Sequence, residues 1–306
     1  MIVRYGYKNL KWVDLECPTN EEVRQIMTEY GIHPLVAQEL VGPSLRPKVE
    51  AYPDFIYLIL HFPVVRRKKT ERFVEQQEID FVIGKDFIIT SRYDAVDPLH
   101  RFSKLFEVNS ILDRADMGEH AGFVFFYMIR MLYDSLSHEL DFINDSIRDV
   151  EERIFKGRER AMVVKISEVS RELLDVRRAT DLHKEILESF DVAARRFFGE
   201  NFAYNTRSII GEYYKIYNHL ESDHNSLNEL RETNNSLLST KQNEIMKTFT
   251  ILAFVTFPLS LAIDIVTIPS ESNPLAGHPQ AFWIIIAGTF VSCVAMFAFF
   301  KYKEWL

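Results

Sequence analysis

FTILAFVTFPLSLAIDIVTI, residues 249–268, decides the fold of this chain. It is an apolar run of 20 residues with one charge, Asp264. At about 1.5 Å per residue a helix of that length spans roughly 30 Å, the thickness of a bilayer's hydrocarbon core. A second run, AFWIIIAGTFVSCVAMFAFF at 281–300, has the same length and no charge. The link between them, 269–280, holds Pro269, Pro274, Gly277 and Pro279 and turns the chain back. The pattern predicts a multi-pass protein of the cell (cytoplasmic or inner) membrane, with the lipid bilayer as a partner. The competing reading is a helical hairpin buried in a soluble core. Lys241 and Lys247 precede the first run, Lys301 and Lys303 follow the second, and the link has no Lys or Arg. By the positive-inside rule both termini are then cytoplasmic and the link is outside. Trp283 and Trp305 fit interfacial anchors.

Upstream, the composition is that of a soluble protein. The 306-residue chain has 26% charged residues and a formal net charge of -8, and its mean hydropathy is -0.10. A net negative charge argues against nucleic acid as a partner. The two cysteines, Cys17 and Cys293, lie far apart, so neither a disulfide nor a Cys-rich zinc site is expected. The N-terminus shows no signal-peptide pattern.

Three regions follow, and the fold class is α+β. Residues 1–117 read as a cytoplasmic α/β domain. FIYLILHFPVV (55–65) and ERFVEQQEIDFVIGKDFIITSR (71–92) are rich in β-branched and aromatic residues. The basic run Arg66-Arg67-Lys68-Lys69 between them reads as a solvated hairpin tip, with lipid-headgroup contact as the minor reading. Residues 20–31 predict a helix with Asn20 as N-cap. Residues 118–247 read as a helical stalk of three helices, about 118–155, 160–190 and 200–247. The third meets no breaker before the first span, so it predicts one rod of about 65–70 residues, roughly 100 Å long. Residues 248–306 form the membrane part, with spans at 249–268 and 281–300 and an outer loop at 269–280.

Alternate steps of three and four along the first span meet Asn243, Met246, Thr250, Ala253, Phe257, Ser260, Asp264 and Thr267. This lane is more polar than its neighbours Ile251, Leu252, Val255, Leu259, Ile263 and Val266. Lipid satisfies neither hydroxyls nor a carboxylate, so the lane is expected to face protein or water. One helix cannot enclose a channel, whereas a cyclic oligomer can. The alternative is that the hydroxyls bond back to their own helix and the lane only packs helices together. Asp264, the only charge in either span, would cost about 2.5–3.5 kcal/mol at mid-membrane on insertion scales. As a ring in a cyclic oligomer it would draw a hydrated cation to the outer mouth. A carboxylate that snorkels to the interface or bonds to the link is the bland alternative.

KQNEIMKTFTILAFVTFPLSLAIDI (241–265) resembles the stalk-to-membrane segment of the CorA metal-ion transporters and their ZntB relatives. The residues that carry the likeness are Asn243-Glu244-Ile245-Met246-Lys247, the pair Thr250-Ile251 and the triplet Pro258-Leu259-Ser260. The resemblance covers the whole chain. It implies a homopentamer, a pore lined by the first span, and cytoplasmic domains that sense divalent cations. It assigns pore positions to Asn243, Met246, Phe249, Phe257 and Ser260. The family's Gly-Met-Asn signature is replaced by Thr267-Ile268-Pro269, and the glycine three positions before it by Asp264.

The function expected is therefore a divalent-cation (magnesium-like) channel or transporter with an unorthodox mouth. One alternative is a non-conducting family relative serving as scaffold or cation sensor; another is selectivity for a different solute. No enzyme is expected. The nine histidines are scattered and no phosphate-binding glycine loop is present. His219 and His224, an i, i+5 pair, read as helix-surface residues. No tightly bound cofactor is expected, only the divalent cation as cargo. The regulatory metal sites are not identifiable among the many acids.

Overall fold

A computed structural model describes residues 1–44, 46–68, 71–112, 118–268 and 279–303. Two compact units emerge, Met1–Arg231 and Glu232–Leu306.

The first unit is built on a six-stranded sheet. Its strands are β1 (Ile2–Tyr7), β2 (Leu10–Glu16), β3 (Lys48–Ala51), β4 (Ile56–Lys68), β5 (Glu71–Ile83) and β6 (Phe87–Arg92). The spatial order is β1-β2-β6-β5-β4-β3. Every pair is antiparallel except β2 with β6, which is parallel. The two apolar stretches that predict strands become β4, β5 and β6. β4 and β5 pair from Ile56↔Ile83 to Lys68↔Glu71. The basic run thus continues the strand through Lys68, and Lys69 lies outside the described residues.

Helices cover both faces of the sheet. One face packs against α1 (Asn20–Tyr30) and α2 (Pro34–Glu39) through Val13, Leu15, Val23, Ile26, Val36, Leu40, Ile59 and Val82. Strand alternation sends Trp12 to the other face. There it meets Phe102 and Phe106 of α3 (Asp97–Leu112) at ring-centroid distances of 5.5 and 5.7 Å. Thr19, not Asn20, caps α1. Its hydroxyl accepts from the Glu22 amide while the Glu22 carboxylate accepts from the Thr19 amide. That reciprocal pair satisfies two amides that the helix start leaves open. Gly31 ends α1 in the left-handed region, φ 66°, where a β-carbon is costly.

The helical segment contains four long helices rather than three: α4 (Ala121–Phe155), α5 (Glu159–Thr180), α6 (His183–Phe198) and α7 (Ala203–Thr267). The break between α5 and α6 falls at Asp181-Leu182, inside a stretch with no Gly or Pro. α7 is one uninterrupted helix of 65 residues, as the sequence predicts. Pro258 lies inside it and removes one amide donor from the ladder.

Buried polar groups in the first unit are tied together. The Arg92 guanidinium sits 3.0 Å from Asp14 and 3.0 Å from Glu16. Asp14 also accepts from the Thr90 hydroxyl at 2.7 Å, and Thr90 accepts from the Trp12 indole at 2.9 Å. His183 is fully buried between the Tyr133 hydroxyl and the His61 carbonyl, each at 2.7 Å. A carbonyl can only accept, so Nε2 donates to it and Nδ1 accepts from Tyr133. Burial holds the His183 imidazole down at about 4, although the His61 carbonyl favours the proton.

The second unit holds the end of α7 and α8 (Ala281–Tyr302). Among the described residues, α7 and α8 are the two helices long and apolar enough to cross a membrane. Residues 269–278 of the predicted link at 269–280, and Trp305, lie outside the described residues.

Candidate functional site

The residues singled out by sequence all lie on α7, and helix spacing alone brings them into register. α8 packs against a different stripe. Ile251, Val255 and Phe300 are buried together, with Leu259, Cys293 and Met296 packed around them. At about 100° per residue, the stripe at 251, 255 and 259 and the lane at 250, 253, 257, 260, 264 and 267 lie roughly 170° apart. The lane is thus turned away from α8. Asn243, Met246, Phe249, Thr250, Phe257, Ser260, Asp264 and Thr267 are exposed, and Ala253 is half-buried. Phe257 is 74% exposed. Phe249, one position off the strict spacing, lies on the same open side.

Both threonine hydroxyls of the lane are committed to their own helix as donors. Thr250 donates to the Met246 carbonyl at 2.8 Å. Thr267 donates to the carbonyls of Ile263 and Asp264 at 3.0 and 3.1 Å. Thr248 and Thr256, off the lane, do the same. The back-bonding expected from threonine in an apolar helix therefore occurs. It leaves each of these oxygens as an acceptor only, with lone pairs still available. Asp264 lies three residues before the end of α7. Among the described residues its carboxylate has no hydrogen-bond or ion-pair partner.

The sequence did not point to a second cluster, in the first unit. Glu78 accepts from the Ser44 amide with both oxygens at 2.8 Å and lies 3.0 Å from His61 Nε2. Asp80, two residues along the same face of β5, is fully buried and accepts from the Tyr93 hydroxyl at 2.7 Å. Burial pushes Asp80 well above the usual carboxylate range, and Glu78 beside it adds to the shift. Asp80 Oδ1 has no hydrogen-bond partner among the described residues. The period-two spacing of the two acids was visible, but their burial depends on α2 and the segment after it. His219 lies 3.7 Å from Asp223, while His224 is exposed, so they form no joint site. Among the described residues no group of three or more His, Cys, Asp or Glu is arranged to hold a metal.

An α/β sheet domain, a 65-residue helix and a second membrane-length helix define a class of two-span membrane proteins, and comparison identifies which one. The family model for the CorA-like Mg2+ transporter protein matches residues 7–302, and the chain belongs to that family. The cobalt/magnesium transport protein CorA of Thermotoga maritima is 23% identical over 96% of this chain and 83% of its own length. The protein of that name from Methanocaldococcus jannaschii is 21% identical over 97% of this chain and 92% of its own. The fold superposes on the complete CorA magnesium transporter structure from M. jannaschii with a TM-score of 0.83 at 19% identity, covering 99% and 94% of the two chains. The full-length CmaX structure gives 0.71 at 16% identity over 97% and 88%.

Proposed function

We propose that this chain transports divalent metal cations, magnesium among them, across the cell membrane. The path is the space that copies of α7 enclose when their polar lanes turn inward. The observation that carries the reading is the position of the lane, exposed and roughly opposite the stripe that α8 covers. Hydroxyls and a carboxylate in that position need water or another chain, because lipid offers them nothing. A lane of lone pairs also suits a hydrated cation, whose water points only donors outward.

Five copies form the assembly, following the family resemblance. The pore positions are Asn243, Met246, Phe249, Thr250, Ala253, Phe257, Ser260, Asp264 and Thr267. Lysines flank both spans on one side, which puts both termini in the cytoplasm. The relatives named for magnesium and cobalt transport support the choice of cargo. Uptake of Mg2+, Mn2+, Co2+, Ni2+ and Zn2+ into liposomes carrying the purified protein tests the reading. Ion entry above protein-free liposomes is expected, and its absence for every ion would overturn it.

A second reading has its own support. Threonines that donate to their own helix, together with Thr267-Ile268-Pro269 in place of the signature, fit a family-shaped scaffold or cation sensor that does not conduct. The same uptake assay separates the two: cation binding without flux selects the second.

A further inference from the structure

We infer that Asp264 determines which ions the path accepts. Its carboxylate makes the mouth select by charge, so that divalent cations enter as a class. This rests on the transport reading above and deepens it.

Asp264 is the only Asp, Glu, Lys or Arg in residues 249–268 and 281–300. It is exposed on the side of α7 away from α8, in register with Ser260 and Thr267. The nearest hydroxyl along the lane cannot quench it, because Thr267 spends its proton on the Ile263 and Asp264 carbonyls. Among the described residues nothing else bonds the carboxylate, and both its oxygens are left for an ion or its water. α7 ends at Thr267, about 4.5 Å further along, so the negative end of the helix dipole lies beside the carboxylate. Fixed negative charge and dipole point to the same ligand, a cation.

The chemistry of the ring follows from its atoms. An amide offers a donor and an acceptor without net charge, and reads the shape of a hydration shell. A carboxylate only accepts and carries charge. It competes with water for the metal, so an ion that sheds water readily can be taken directly on oxygen. Magnesium, which dehydrates reluctantly, is held through its water. Both kinds of ion pass the same ring, and a doubly charged ion is favoured over a singly charged one of similar size.

The test is initial-rate uptake of Mg2+, Mn2+ and Co2+, each alone, into liposomes carrying the full chain or its Asp264→Asn, Asp264→Ala or Asp264→Glu variant. Native mass spectrometry checks that each variant keeps the assembly of the unaltered chain. The expected result is that the unaltered chain carries all three ions at rates within about tenfold of one another, as a charge ring allows. Asp264→Asn and Asp264→Ala should lower all three at least about tenfold, and Asp264→Glu should restore most of the loss. Hexaamminecobalt(III), which cannot exchange its ligands, should block the unaltered chain far better than the Asn variant. Flux in the Asn and Ala variants equal to that of the unaltered chain would overturn the inference and leave the transport reading standing. A chain that carries one of the three ions and excludes the others would also overturn it. No flux of any ion in the unaltered chain would remove both.

Discussion

The two units differ in how far one chain completes them. In Met1–Arg231 the sheet is covered on both faces, and deeply buried charges such as Arg92 and Asp14 have partners inside the chain. In Glu232–Leu306 the described residues that are buried are Asn234 and a small cluster of Ile251, Val255 and Phe300, and Asp264 has no partner among the described residues. The first unit pairs buried charges such as Arg92 and Asp14 internally, while Asp80 Oδ1 and Asp223 Oδ2 lack a hydrogen-bond partner among the described residues. In the second, Thr250, Ser260 and Asp264 stand exposed on α7. Substitutions in the first unit should therefore act on stability, and substitutions along the α7 lane on transport.

The largest effect is expected where the first unit is most self-contained. Asp14→Ala leaves the buried Arg92 with Glu16 as its one carboxylate partner, beside the Asp94 carbonyl, and strands the Thr90 hydroxyl. A loss of about 3–4 kcal/mol in the first unit's stability is expected, read by denaturant titration of the full chain in detergent. A loss under about 1 kcal/mol would mean this network is not the anchor its burial suggests.

His183 gives the next effect, with a pH signature. Its folded value of about 4 lies below the ordinary 6.5, so the native state holds it neutral. That stability is complete above about 6.5 and is lost as pH falls toward 4. His120, stacked 4.3 Å from the Phe198 ring, is lowered by burial to about 4 as well and adds to the same window. His183→Gln should flatten part of this acid limb while lowering stability at pH 7 by about 2 kcal/mol. An acid limb unchanged in the variant would assign it to other groups.

Asp80 has the opposite sign. Its folded value is raised, so its contribution is complete below the usual carboxylate pKa and declines as pH rises. Asp80→Asn keeps the acceptor for Tyr93 and supplies a fixed donor toward Glu78. A gain of about 1 kcal/mol at pH 7, vanishing near pH 4, is expected from thermal unfolding across pH. Equal destabilisation at both pH values would contradict a raised Asp80. The smallest effect belongs to Thr250→Val, which removes a hydroxyl that donates to its own helix. Stability and assembly should change by less than about 0.5 kcal/mol by the same titration.

The same contrast governs what the sequence could disclose. The spans, the continuous α7 and the polar lane were legible because they depend on runs and on i, i+3 and i, i+4 spacing within one helix. The break at Asp181-Leu182 was not, since no Gly or Pro marks it and packing between helices decides it. Thr19 was passed over as cap because Asn20 is equally suited by residue type. Only the reach of Glu22 back to Thr19 distinguishes them. The parallel β2–β6 pairing, and the burial of His183 and Asp80, arise from contacts between residues distant in sequence. No local pattern carries them. The lane's relation to α8 also had to await the fold, because α8 could have packed over it.

The central claim is that the lane faces a water-filled cation path between copies of α7. The direct measurement is thiol accessibility in liposomes, on a Cys17→Ser, Cys293→Ala background. Single cysteines replace Phe257, Ser260 or Thr267 on the lane, and Leu252 or Leu261 off it. A charged, membrane-impermeant thiosulfonate is applied while divalent uptake is followed. The account predicts labelling and loss of uptake for the lane substitutions, with neither at Leu252→Cys or Leu261→Cys. Lane cysteines that stay unlabelled while uptake proceeds would contradict it.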